Sequence, residues 1–275
     1  MVSGLKKYKW LILRRSCQML VMGLFMLGPY AGIWIIEGNL ASSNLLNTIS
    51  LSDPFIALQS FVAGHELETT VIIGALTVAV FYMLVGGRSF CAWVCPINPV
   101  TDAANVMREK FRIKTNTKFD RRLRIALIPM ILLVSYLAGE IAWEAVNPIT
   151  ILHRGVLFGL GAGSIVVFLI FILDFLVKKH GWCGHICPVG AFYGFLGRTN
   201  MIQISSKKRK KCNTCGDCFQ HCPEPHVISP ALFPETEDKS PLILDVDCIK
   251  CGKCVDVCHA DVFSFTHRFD HKTLD

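Results

Sequence analysis

Apolar side chains gather along this chain in four long runs, at 17–36, 69–85, 125–143 and 156–177, with polar stretches between them. A helix needs about 20 residues to cross a hydrocarbon core, so each run predicts a transmembrane helix. The second run is the shortest, and the third carries Glu140 near its end. A further apolar stretch at 54–64 is too short to span and predicts a re-entrant or interfacial helix. Gly155, Gly159 and Gly163 recur every four residues at the start of the fourth run, a spacing that lets a neighbouring helix approach closely. The first run is too long for a signal peptide and has no small-residue cleavage site after it, so it reads as a retained anchor.

Composition supports this reading. The chain is 52% hydrophobic and 18% charged, with a mean hydropathy of +0.45. Soluble domains carry about 25% charged residues, and disordered chains carry more charge and fewer apolar side chains. The first class is disfavoured and the second excluded. The net charge is +7, and its placement matters more than its size: of 28 Lys and Arg, 27 lie in 1–15, 86–124 and 178–275, leaving Arg154 alone between the other runs. The positive-inside rule therefore places both termini of a multi-pass membrane protein in the cytoplasm. Trp10, Trp93 and Trp182 fall at the inner ends of the runs, and Trp34 and Trp143 at the outer ends, where an indole ring suits the interface.

The apolar half is duplicated. Cys91-Ala92-Trp93-Val94-Cys95-Pro96 follows the second run, and Cys183-Gly184-His185-Ile186-Cys187-Pro188 follows the fourth. An amphipathic stretch comes after each, at 100–111 and 191–201. Repeats of one orientation are related by an axis along the membrane normal, which would bring the two cysteine pairs together on the cytoplasmic face. Three readings of Cys91, Cys95, Cys183 and Cys187 stay open: a further metal or cluster centre, a redox-active thiol site, or tight packing of buried cysteine. Cys17, alone in the first run, reads as a packing residue.

Around residue 205 the composition turns polar, and Lys207-Lys208-Arg209-Lys210-Lys211 marks a boundary suited to anionic headgroups. Beyond it, Cys212-x2-Cys215-x2-Cys218-x3-Cys222-Pro223 has the spacing of a bacterial ferredoxin run, repeated by Cys248-x2-Cys251-x2-Cys254-x3-Cys258. In such runs three thiolates wrap one cubane and the fourth ligates the other. This assigns Cys212, Cys215, Cys218 and Cys258 to one [4Fe–4S] cluster, and Cys248, Cys251, Cys254 and Cys222 to a second. Gly216 and Gly252 suit the tight turns. Structural zinc uses four ligands per site without this interleaving, and disulfides are disfavoured in a reducing cytoplasm. Two features depart from the ferredoxin pattern: His259 replaces a proline after Cys258, and the connection from Pro223 to Asp247 is long.

The expected architecture is a membrane α-helical fold of four transmembrane helices in two pseudo-repeated pairs (1–204), followed by a small α+β double-cluster ferredoxin-like domain (205–275). A quinol site would need proton-accepting and hydrogen-bonding groups. His65, Glu66, Glu68, Glu140, Glu144 and His153 are the suspects at the outer face, Glu140 foremost because its surroundings are apolar. Asp174 is placed to pair with Lys178 along one helix.

The two Cys-x3-Cys-Pro motifs, the four apolar runs and the double ferredoxin run resemble, over the whole chain, the NapH/MauN-like family of ferredoxin-type quinol dehydrogenase subunits. The resemblance implies electron transfer from ubiquinol or menaquinol. It implies a periplasmic iron–sulfur partner of the NapG type, contact with a NapC-like cytochrome, and delivery to the periplasmic nitrate reductase NapAB. Such a protein is an electron-transfer component rather than a stand-alone enzyme, and it has no nucleic-acid partner. The competing readings are a maturation or metal-reductase factor and a scaffold anchoring NapG.

Overall fold

The first apolar run folds as helix α1 (Lys9–Ala31), displaced upstream of the expected 17–36. It stops where Gly32 takes a φ of +69°, a conformation that costs glycine little. The computed structural model describes residues 8–270 apart from Asn47, Lys114, Asn116, Lys118, Leu160 and 235–239; the termini assigned to the cytoplasm lie outside the described residues.

After α1 comes an antiparallel meander of β1 (Ile36–Gly38), β2 (Ser42–Leu45) and β3 (Ile49–Ser52), in register at Glu37↔Asn44 and Ser43↔Leu51. These strands, three to four residues each, are too short to show a period in the sequence. Asp53 then caps α2 (Pro54–Val62), its carboxylate accepting the Phe55 N–H at 2.8 Å, with Pro54 at the first helical position. This is the short helix expected at 54–64. Helix α3 (Thr69–Val85) coincides with the second run.

Short α4 (Ser89–Trp93) carries Cys91, and α5 (Ile97–Lys110) follows the first Pro96. The third run is shorter than expected. Helix α6 (Arg122–Ala138) ends at Gly139, whose φ of +66° closes it, so Trp143 falls in the 3-10 turn Ala142–Ala145. The fourth run is not one helix. Helix α7 (Pro148–Phe158) ends at Gly159 with a φ of +96°, and α8 (Ser164–Ile172) begins afresh, continuing through a π turn to Val177. The glycines read as one packing stripe are therefore distributed over a helix, its end and the start of the next. Gly159 breaks the run because it adopts a backbone angle that a helix excludes. Among the described residues α1 alone is long and apolar enough to cross a membrane; Thr69–Val85, Pro148–Phe158 and Ser164–Val177 are apolar but shorter.

After the second motif come α9 (Pro188–Leu196), β4 (Ile202–Ser205), α10 (Asp217–His221), α11 (Ser229–Leu232), α12 (Lys253–Val257) and β5 (Ser264–His267). Contacts divide the chain into two compact units. The cysteine-rich unit holds Met1–Cys17, Tyr82–Trp93 and Tyr193–Asp275, so it takes in more than the stretch after residue 205. Its β4 and β5 pair antiparallel from Ile202↔His267 to Ser205↔Ser264. Its core is Ile204, Val227, Ile228, Ala231, Leu232, Ile243, Val262 and Phe263, with Cys218 and Cys254 among them.

The helical unit holds Gln18–Phe81 and Val94–Phe192. Its interior holds many polar side chains among the apolar ones. Gln59, fully buried, accepts from Ser135 Oγ (3.4 Å) and from the Trp143 N–H (3.2 Å). Asn105 Nδ2 lies 3.0 Å from His180 Nδ1, and Arg108 donates to the Phe175 carbonyl at 2.9 Å. Its exposed faces are apolar, with Ile72, Ile73, Leu76, Leu133, Leu137, Ile165 and Phe168 all open.

Candidate metal centres

Each ferredoxin-spaced run bends at the same two positions. Thr214 and Gly216 have φ of +56° and +82°, and Lys250 and Gly252 have φ of +52° and +72°. Left-handed residues between the cysteines turn successive N–H groups toward one point, a concavity suited to an anionic core. Each glycine then starts a short helix, α10 or α12, which carries the third cysteine, Cys218 or Cys254.

Cys212, Cys215, Cys218 and Cys258 line one cavity of about 270 Å³, together with Phe219, Leu232 and Phe263. Cys222, Cys248, Cys251 and Cys254 line another, so the fourth cysteine of each run sits with the first three of the other. Burial pushes the Cys218 and Cys248 thiols up to about 11, and neighbouring sulfurs add to the effect. Cys222 and Cys254 are pushed well above the ordinary thiol range for the same two reasons. Four crowded thiols in an apolar shell resist ionisation unless a cation joins them. The donor set, its grouping and the left-handed turns between the cysteines all fit an iron–sulfur cluster.

The two sites differ in their cover. Cys215 is exposed, whereas Cys251 and Cys254 are buried. Ala92 packs with Ile249 and Cys251, flanked by Cys91 and Trp93. Trp93 donates its indole N–H to the Lys250 carbonyl at 3.1 Å and meets Trp10 edge-on, ring centres 6.2 Å apart. Trp10 in turn lies 4.1 Å from the Phe265 ring. Arg88, fully buried, donates to the Asp247 carbonyl (2.8 Å) and to Glu224 (3.2 Å), with the Asp247 carboxylate at 3.5 Å. Burial pulls Lys250 down to about 8. The ferredoxin spacing gives no hint of Arg88, Trp10 or Trp93. Their one sequence signal is the placement of a Gly-Gly-Arg turn and two tryptophans at the inner ends of apolar runs.

A 4Fe-4S dicluster domain family matches residues 204–259. The ferredoxin-type protein NapH of Escherichia coli (strain K12) is 45% identical over 265 residues, covering 96% of this chain and 91% of NapH. The methylamine utilization ferredoxin-type protein MauN of Methylorubrum extorquens is 49% identical over 264 residues, with the same two coverages. The chain belongs to the NapH/MauN family. MauN of Paracoccus denitrificans is 50% identical over 244 residues, 89% of this chain and 85% of its own. No solved structure matches. As a NapH/MauN protein, the chain is a ferredoxin-type iron–sulfur electron-transfer protein.

A second family, a 4Fe-4S binding domain, matches this NapH/MauN chain at 67–114 and 160–212, stretches that carry the two Cys-x3-Cys-Pro motifs. Cys95 and Cys187 are buried, and Cys91 and Cys183 half-buried. Thr101 Oγ1 lies 3.9 Å from Cys183 Sγ, and Gln18 Nε2 reaches the Cys95 carbonyl at 3.5 Å. Asp174 is fully buried and accepts the Trp182 N–H at 3.0 Å, which ties it to the second motif. Of the quinol-site suspects, His65, Glu66, Glu68 and Glu140 are exposed, so Glu140 loses its precedence. Glu144 accepts from Asn147 and pairs with Arg154 at 3.9 Å. His153 is fully buried, edge-on to Phe25 at 4.7 Å, and neither ring nitrogen has a hydrogen-bond partner among the described residues.

Proposed function

We propose that this chain is a four-span inner-membrane subunit of a quinol dehydrogenase, with its ferredoxin-like unit in the cytoplasm. Cys212, Cys215, Cys218 and Cys258 hold one [4Fe–4S] cluster, and Cys222, Cys248, Cys251 and Cys254 hold the second. The observation that carries this reading is the sorting of eight thiols into two crossed sets, each walled by apolar side chains. Each cluster supplies a one-electron couple when bound, so two of them in one small unit suit a two-electron donor. The spanning claim draws support from the inverted polarity of the helical unit, with polar groups such as Gln59 and Arg108 inside and large apolar side chains outside. Intramembrane polar groups face the interior because lipid cannot solvate them.

For the quinol head group the residue of choice is His153, because a buried imidazole without a partner costs about 1–3 kcal/mol and a bound hydroxyl would satisfy it. By analogy with NapH, the electrons pass with a NapG-like periplasmic iron–sulfur protein, in contact with a NapC-like cytochrome, toward a periplasmic nitrate reductase. A second reading has its own support: the MauN relatives are named for methylamine utilization and reach 49% and 50% identity, against 45% for NapH. Either way the donor is ubiquinol or menaquinol.

The test is anaerobic reconstitution in liposomes followed by quinol addition. Loss of the oxidised clusters' visible absorbance is the expected result. Clusters that stay oxidised with either quinol would favour the maturation-factor reading, and function that survives replacement of the eight cysteines would favour a scaffold.

A further inference from the structure

The side chain of Arg88 comes from a segment more than a hundred residues upstream of either ferredoxin run, yet it ends among the ligand segments of one site only. It donates to the carbonyl of Asp247, which precedes Cys248, and to the carboxylate of Glu224, two residues after Cys222. One guanidinium thus joins the two chain segments that bring Cys222 and Cys248 to a single site. His226, half-buried, lies 3.2 Å from the Asp247 carboxylate and extends the network outward. The turn that carries the arginine is held fast: a side chain on Gly87 would collide with the Tyr193 carbonyl and the Gly197 N–H, and one on Gly86 with the Lys250 side chain.

A cation buried this deeply is tolerated only when it is paired, and here the pairing is two carboxylates. The charge around a cluster is one of the levers on its potential. Without the guanidinium, Glu224 and Asp247 would add net negative charge beside the thiolates and oppose the arrival of an electron. Among the described residues, Asp217 is the one charged residue in the wall of the other cavity, whereas Glu224, Lys250 and Lys253 line this one, with Arg88 behind Glu224.

We propose that Arg88 tunes the reduction potential of the cluster held by Cys222, Cys248, Cys251 and Cys254, holding it up while leaving its neighbour untouched. The potential of one ferredoxin centre is then governed from the Gly-Gly-Arg turn that leads into Cys91. This rests on the cluster assignment proposed above and adds an electrostatic asymmetry to it.

The experiment is a redox titration of the purified, cluster-loaded full chain, followed by electron paramagnetic resonance, with iron content measured on each sample. In Arg88→Gln one of the two potentials should move negative, by at least a tenfold change in the reduced-to-oxidised ratio at fixed potential, about 59 mV for one electron. The other should stay, and Arg88→Lys should recover most of the shift. Glu224→Gln removes a negative charge from the same network and should move the same signal positive, which keeps the test available if Arg88→Gln loads poorly. Unchanged potentials, equal shifts of both signals, or shifts of the same sign in Arg88→Gln and Glu224→Gln would each overturn the proposal. A wild-type chain without two cluster signals would instead sink the assignment beneath it.

Discussion

The Asp256 carboxylate accepts the backbone N–H of Trp10 at 3.1 Å, and that of Leu11 at 2.9 Å, from 246 and 245 residues away. The first turn of a helix leaves its N–H groups without intrahelical partners, and here a residue of the second ferredoxin run supplies the cap. Burial raises the Asp256 carboxyl, opposed by those same two hydrogen bonds. Losing a cap of this kind costs about 1 kcal/mol. Asp256→Ala should lower the denaturation midpoint accordingly, while Asp256→Asn, which can still accept, should lose less. Equal midpoints for wild type and Asp256→Ala would remove the cap from the account.

Gly216 and Gly252 share a left-handed backbone but not their surroundings. A side chain at Gly216 would meet open space, and one at Gly252 would press on Trp10 at 2.7 Å. Left-handed strain alone costs a non-glycine residue roughly 1–2 kcal/mol. Gly216→Ala should therefore keep its iron, while Gly252→Ala should lose part of the iron held by the second run. Iron analysis of the two variants, prepared side by side, decides this; equal losses would count against the Trp10 contact.

Cysteine replacement tests the crossed ligand sets. Cys222→Ser and Cys251→Ser should erase the same paramagnetic signal, and Cys215→Ser and Cys258→Ser the other. If the ferredoxin runs each bound a cluster separately, Cys222→Ser would group with Cys215→Ser instead. If the two Cys-x3-Cys-Pro motifs form one metal site, Cys91→Ser and Cys187→Ser should each lower the iron content; unchanged iron together with unchanged activity would favour packing.

Protonation gives a further handle. In the apo fold Cys218 and Cys248 sit near 11, raised by burial from a reference of 9.0. The unfolded chain gives up these protons first, so between about pH 9 and 11 it binds fewer of them and apo stability falls as pH rises. Cluster assembly needs the thiolates, so iron loading should release protons and strengthen with pH across the neutral range. Proton release can be followed with an indicator dye during reconstitution. Iron affinity that does not vary with pH would contradict the buried-thiol picture.

The proposal that quinol binds at His153 can be tested separately from the clusters. His153→Ala should slow quinol-driven reduction while leaving iron content and reduction by dithionite unchanged. The same change at Glu140, which is exposed, should have little effect. Comparable slowing in both variants would move the site away from His153.

Local rules made part of this protein legible from its residues alone. The spacing of three cysteines two residues apart is a property of one turn of chain, and Gly216 and Gly252 stand at the left-handed positions the sequence marks out. Helix α3 follows directly from an unbroken apolar run, and the short apolar stretch at 54–64 marks α2. The break in the fourth run is less accessible, because the same glycines serve a packing stripe or a helix end, and only the φ of Gly159 separates the two. The β1–β3 meander escaped because three-to-four-residue strands draw their order from pairing rather than pattern.

Sequence by itself determined the spacing of the cysteines, the left-handed turns between them and the apolar character of the helices, since each depends on neighbours within a few residues. Tertiary structure alone decided that Arg88, Trp93 and Trp10 converge on the second cluster site and leave the first more open. Those contacts join segments between 136 and 246 residues apart. No local pattern encodes such a meeting, because burial of a charge or an indole is settled by whichever distant surface can pair with it.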